Sequence, residues 1–255
     1  MHPALIGMFV FACTFGGALL GIGLRARLPA HHLDAESRDT VNHGIGLIAT
    51  MAALVLGLVT ASAKSSFDGV DAAVKQTAVE ILSLDRVLAR YGPEASEIRR
   101  GLKVAVLNRI ERTWPEKSSQ AANLDPIEAQ AGSGPEALAN AIDGLKPRDD
   151  TERALQSRAV ELTEALLQAR WLIHGGSPTS VPWPFLMILL FWLTAIFVSF
   201  GLFAPRNGTV LAVLFVCAVS VGSSVFLVLE MDAPFEGLLR VSSDPMRFAY
   251  EHLGE

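Results

Sequence analysis

The sequence predicts an all-α membrane protein, with four transmembrane helices in a two-plus-two arrangement around a helical extramembrane bundle. Three observations predict it. The 255-residue chain is 51% hydrophobic with a mean hydropathy of +0.37, too apolar for an average soluble domain. Four uncharged apolar runs, 5–24, 44–63, 185–204 and 209–229, are each long enough to cross a hydrocarbon core about 30 Å thick. Between the second and third run the chain turns polar while its apolar residues keep a helical period. The boundaries that follow are a first membrane pair in 1–63, a helical extramembrane domain in 64–182, a second membrane hairpin in 183–230 and a tail with a short helix in 231–255.

The first run has no basic stretch before it and no small-x-small cleavage site, and Arg25 and Arg27 follow it, so it reads as a retained span rather than a signal peptide. Gly17 and Gly21 form a G-x-x-x-G, a packing signal common in apolar helices. Pro29 stops this helix, and Asp34 or Ser37 is suited to cap the next. His31, His32 and His43 lack an acidic or cysteine partner at ligand spacing and read as solvated.

The stretch 42–68 is the pivot of the chain. From 44 to 63 it holds 20 residues without a charge, about 30 Å of helix. Ala53, Gly57, Ala61 and Ser65 make a small-residue face on which another helix can pack closely. Leu47, Met51, Leu54 and Leu58 share a second face by four-three-four spacing. Apolar rings of this kind can gate a pore by dewetting, without any charge in the span. The plainer reading of either face is helix packing or lipid contact. After Lys64 no breaker intervenes except Gly69, so the helix is expected to continue into water as one rod. Its extension carries a heptad seam, Val70, Val74, Thr77, Ile81, Leu84 and Leu88.

Gly92 and Pro93 end that rod and start a new helix, in which Ile98, Leu102, Val106, Ile110 and Trp114 share a face. Residues 116–146 are rich in Ala, Gly, Ser and Pro and predict a loop with a short helix near 135–142. Asp149 and Asp150 open the next helix, striped by Leu155, Ala159, Leu162, Leu166, Ala169 and Ile173, and widened by Trp171 and Leu172, until Gly175. The domain holds 15 basic and 17 acidic residues, a balance that suits a solvated face.

Pro205 and Asn207-Gly208 make the third and fourth runs a hairpin, with Trp183 as an interface anchor. Beyond the fourth run, Glu230, Asp232 and Glu236 are candidate ligands for a hard cation such as Ca²⁺. The alternative is helix capping, with Ser242, Ser243 or Asp244 starting a terminal helix at Pro245.

Several function classes are excluded or weakened. A net charge of −5 gives no footprint for nucleic acid. No ionisable side chain lies within the four runs, which weakens an ion-coupled transporter. No nucleotide-binding or hydrolase motif is present, and His43, Thr60 and Ser62 at one boundary are the whole support for an enzyme. Both cysteines lie in apolar runs, against a disulfide or zinc framework. Basic residues flanking the runs number four on each side, so charge assigns no orientation. Two functions are left: an oligomeric ion channel, and a membrane scaffold or sensor that binds a protein partner through its helical domain.

The stretches LVLGLVTASAKSSFD (54–68), LDRVLARYGPE (84–94), FWLTAIFVSFGLFAPRNGTV (191–210) and FLVLEMDAPFEGLLRVSSDP (226–245) resemble the bacterial bestrophin-like family. Asp232-x-Pro234-Phe235 is similar to the acidic-Pro-Phe stretch that follows the fourth span of bestrophin channels. The resemblance implies a homopentamer in the bacterial inner membrane that conducts inorganic ions, mostly anions. It further implies a pore lined by the second span, a cytosolic helical domain, Leu54 and Leu58 facing a neck, and Glu230, Asp232 and Glu236 near a Ca²⁺ clasp. Where bestrophins carry an aromatic-rich neck, this second span has Leu, Met and small residues.

Overall fold

A computed structural model of the chain describes residues 2–29, 34–115, 135–175, 183–205 and 207–255. The described residues are helical, without strands. The helices are α1 (Pro3–Arg25), α2 (Ala35–Tyr91), a 3-10 turn (Pro93–Ala95), α3 (Ser96–Thr113), α4 (Pro135–Asp143), α5 (Asp150–Gly175), α6 (Trp183–Phe203), α7 (Gly208–Met231) and α8 (Asp244–Glu251). Four of them, α1, α2, α6 and α7, are long and apolar enough to cross a membrane. The chain divides into two compact units, residues 1–67 with 179–239, and residues 68–178 with 240–255.

In the first unit, glycine sets the helix spacing. A Cβ on Gly21 would collide with the Val198 carbonyl of α6, and one on Gly201 with the Ala18 carbonyl of α1. Gly7 of α1 and Gly222 of α7 are matched in the same way, each facing the other's carbonyl. These are backbone-to-backbone approaches that only glycine permits, and they substitute for the missing hydrophobic drive between helices in lipid. Phe11 and Phe15 of α1 meet Phe215 of α7 edge-on, with centroids 5.5 Å apart. Arg25, at the end of α1, donates to the Ala204 carbonyl, an acceptor just past the end of α6.

The first part of α2 joins this unit through one narrow seam. Ala52 packs with Leu189, Leu193 and Ile196 of α6, flanked by Ile45, Ile48, Ala49 and Leu56. One level on, Val59 and Ala63 pack with Val228, Leu186 and Met231. Asp34 starts α2 by accepting the Ser37 amide at 2.8 Å, as a capping aspartate does. Asn207 does the same for α7, taking the Val210 amide at 2.8 Å.

In the second unit, the helix breaks fall where glycine and proline place them. α2 runs unbroken through Gly69 to Tyr91, and Gly92 then adopts φ +125°, a conformation suited to glycine. Val74, Thr77, Ile81, Leu84 and Leu88 are buried, as are Ile98, Leu102, Val106 and Ile110 of α3 and Ala159, Leu162 and Leu166 of α5. At the start of α5, Asp149 accepts the Glu152 amide and Glu152 accepts the Arg148 amide, both at 2.7 Å. This is a reciprocal cap. α8 begins at Asp244 without a side-chain cap from Ser243. Ser242 accepts the Asp244 amide instead, at 3.0 Å. His31, His32, Arg206 and most of the 116–146 loop lie outside the described residues, as do the side chains of Trp171, Leu172 and Ile173.

Candidate functional site: the free faces of α2 and the end of α7

Successive residues of a helix are turned by about 100°, so the α2 seam through Ala52, Val59 and Ala63 occupies one side. Leu47, Met51, Leu54 and Leu58 fall on the opposite side. Within the chain they are exposed, Leu47 and Leu54 each at 68%. Ala53, Gly57 and Ala61 lie beside the leucines on the side away from the seam, Ser65 falls in line with Leu47 and Leu54, and all four are exposed as well. A Cβ on Gly57 would meet nothing within 4 Å, and the same holds at Gly44 and Gly46. The glycines that tie α1 to α6 and α7 are therefore filled, while those of α2 are open. Thr50 and Thr60 turn their hydroxyls back onto the Gly46 and Leu56 carbonyls, at 2.9 and 2.7 Å. Just past Ala63, the Lys64 ammonium lies 5.9 Å from the Phe67 ring centre.

The proposed enzyme residues do not form a site. His43 and Thr60 lie on one straight element, α2, about 25 Å apart along its axis at ~1.5 Å per residue. They are at opposite ends of the span rather than at one boundary. His43 pairs with the Asp39 carbonyl at 2.6 Å.

At the end of α7, Glu230 is buried, at 4% exposure. Its carboxylate accepts the Leu238 amide at 2.6 Å and the Leu239 amide at 3.4 Å. Gly237 makes this return possible with φ +81°, and a Cβ there would strike the Glu230 carboxylate. Asp232 is half-buried and Glu236 exposed. Among the described residues, no three His, Cys, Asp or Glu side chains group as ligands of a metal ion. Of the three acids, Glu230 has a visible role, which is to hold the following loop. That role left no mark in the sequence, since its partners are backbone amides eight and nine residues on.

A second buried acid was equally hidden. Asp85, at 1% exposure, takes a two-pronged bond from Arg99, 2.7 Å to Nε and 2.8 Å to Nη2, and the Gly254 amide at 3.3 Å. The hydrogen bond to Asp85 raises the Arg99 pKa above its ordinary value, against the cost of partial burial. Lys103 donates to the Leu253 carbonyl at 2.8 Å and Trp114 to the Val241 carbonyl at 2.8 Å. These bonds fasten α8 and its flanks to α2 and α3. Nearby, Tyr91 closes α2 beneath an ion pair between Glu94 and Arg148.

Described residues that are helical, without strands, with four apolar helices of spanning length among them, make this a membrane protein. The model of the Bestrophin-like domain family matches residues 12–246, nearly the whole chain, and the protein belongs to that family. No curated protein and no solved structure matches it. Bestrophin-like proteins are generally ion channels rather than enzymes.

Proposed function

We propose that the chain is one subunit of an oligomeric ion channel, a homopentamer whose pore is lined by α2. The observation that carries this reading is the contrast among glycines. Gly7, Gly21, Gly201 and Gly222 are closed by a neighbouring backbone, whereas Gly44, Gly46 and Gly57 within the α2 span, like Gly16 and Gly23 of α1, face open space. A bare glycine and alanine face offers lipid little contact, and close approach of another helix is its usual use. A second copy of the chain supplies that helix. The Leu47, Met51, Leu54 and Leu58 face is then available to the pore, where apolar rings hold water out until the pore widens. The two-plus-two arrangement is part of this reading, with α1 and the first part of α2 before the helical domain in the chain and α6 and α7 after it. By likeness to the family, we take that domain to be cytosolic and the spans to cross the bacterial inner membrane.

Ion flux through purified protein in liposomes tests the proposal. Flux above that of empty vesicles is expected, and Leu54→Ala is expected to raise it by widening and wetting the constriction. No flux from a confirmed oligomer would leave the scaffold reading in its place. Repeating the flux with Ca²⁺ and with chelator tests control through Glu230, Asp232 and Glu236. A Ca²⁺ response abolished by Asp232→Asn would support it, and an unchanged flux would remove it.

A further inference from the structure

Leu238 lies outside every span, yet at 82% it is the most exposed large apolar side chain among the described residues, with Leu239 beside it at 40%. The position of this pair is fixed by its backbone. Both amides return to the carboxylate of Glu230 in the last turn of α7. Residues 232–237 therefore leave the helix and come back to its end. α7 has 24 residues, about 36 Å at ~1.5 Å per residue, against a hydrocarbon core of about 30 Å. Its last turn thus reaches the boundary between acyl chains and headgroups. The start of α6 is at the same level, because Leu186 packs with Val228 and Met231. One turn before Leu186 stands Trp183, exposed at 71%, at the place where an amphipathic ring anchors a span.

We infer that residues 238–239 form a lipid-inserted anchor, with the two leucine side chains entering the headgroup–acyl boundary of the bilayer and Glu230 positioning them. Two adjacent leucines held at this depth on a hydrogen-bonded turn match the way interfacial segments bury an apolar edge. Exposed Val216, Val219 and Leu227 of α7 carry the lipid-facing surface to the same end. The occupant is the acyl layer rather than a second protein. Glu230 is a positioning residue: with its charge satisfied by backbone amides, it sets the height of the loop without itself meeting lipid.

The test uses the full chain in lipid nanodiscs, with Leu238→Cys in a Cys13→Ser, Cys217→Ser background and an environment-sensitive fluorophore on the new thiol. A blue-shifted emission is expected, lost to nitroxide lipids labelled near the headgroup and protected from aqueous iodide. A label at Ser157, exposed on α5, serves as the water-accessible control. A label at 238 quenched by iodide as readily as that control would overturn the inference. So would protection from both quenchers with energy transfer between labels on neighbouring copies, which would put a second copy over the leucines. Glu230→Gln is expected to shift the label at 238 toward iodide. If that variant does not fold, Gly237→Ala displaces the same carboxylate. Unchanged quenching in the folded variant would remove Glu230 from the positioning role. Lipid insertion is read without ion flux, so it stands or falls apart from the channel proposal.

Discussion

Tyr91 ends α2 with its ring at 5% exposure and its hydroxyl buried without a hydrogen-bond partner among the described residues. Burial raises its pKa first, and Glu152 and Glu94 add to the rise while Arg148 opposes it. A phenol whose folded pKa is raised loses its contribution to stability as pH climbs past the unfolded value near 10. Tyr91→Phe is therefore expected to leave thermal stability at neutral pH unchanged or slightly higher, because an unsatisfied hydroxyl leaves the interior. It is also expected to flatten the alkaline loss above pH ~10, as a melting series across that range will show. Asp85 is the opposite case. Its charge is fully buried but paired by Arg99 and the Gly254 amide. Asp85→Ala strands the guanidinium and is expected to cost about 3–5 kcal/mol, measured by denaturant unfolding of the helical unit. LDRVLARYGPE was legible as a family stretch, but the reason for its aspartate was not. The partner stands on another helix 14 positions later, and no local spacing rule reaches that far.

Helices were the most legible scale. The four-three steps of Val74, Thr77, Ile81, Leu84 and Leu88 marked the face of α2 that is buried, and Gly92-Pro93 marked its end. Asn207-Gly208 marked the turn before α7, and there the Asn207 side chain caps a local amide. Gly17 and Gly21 were legible as a packing signal, but their partners Thr194 and Val198 on α6 were not. Which glycines are filled is decided by tertiary approach alone. Three substitutions separate the cases. Gly21→Ala drives a Cβ into the Val198 carbonyl and is expected to cost about 1–3 kcal/mol of the spans' own stability. Gly69→Ala, in a helix interior with nothing within 4 Å, is expected to add about 0.5–1 kcal/mol. Gly57→Leu is expected to leave the fold of the monomer intact and to weaken assembly, read as a shift toward smaller species on size-exclusion chromatography in detergent. Full assembly of Gly57→Leu would remove this face from the subunit interface.

At the scale of the whole molecule, a membrane protein of the bestrophin-like family is at odds with its own surface in one place. α2 presents two exposed faces, one of leucines and one of small residues, and is packed on the first unit through a single seam. In the channel proposed above, an assembly of copies would resolve this by covering the small-residue face and enclosing the leucines. The measurement that bears most directly on this is the subunit count of the purified full chain, by native mass spectrometry from mild detergent. Five copies are the expected mass. A strict monomer would contradict the channel, leaving the α2 faces to lipid and the protein without a pore.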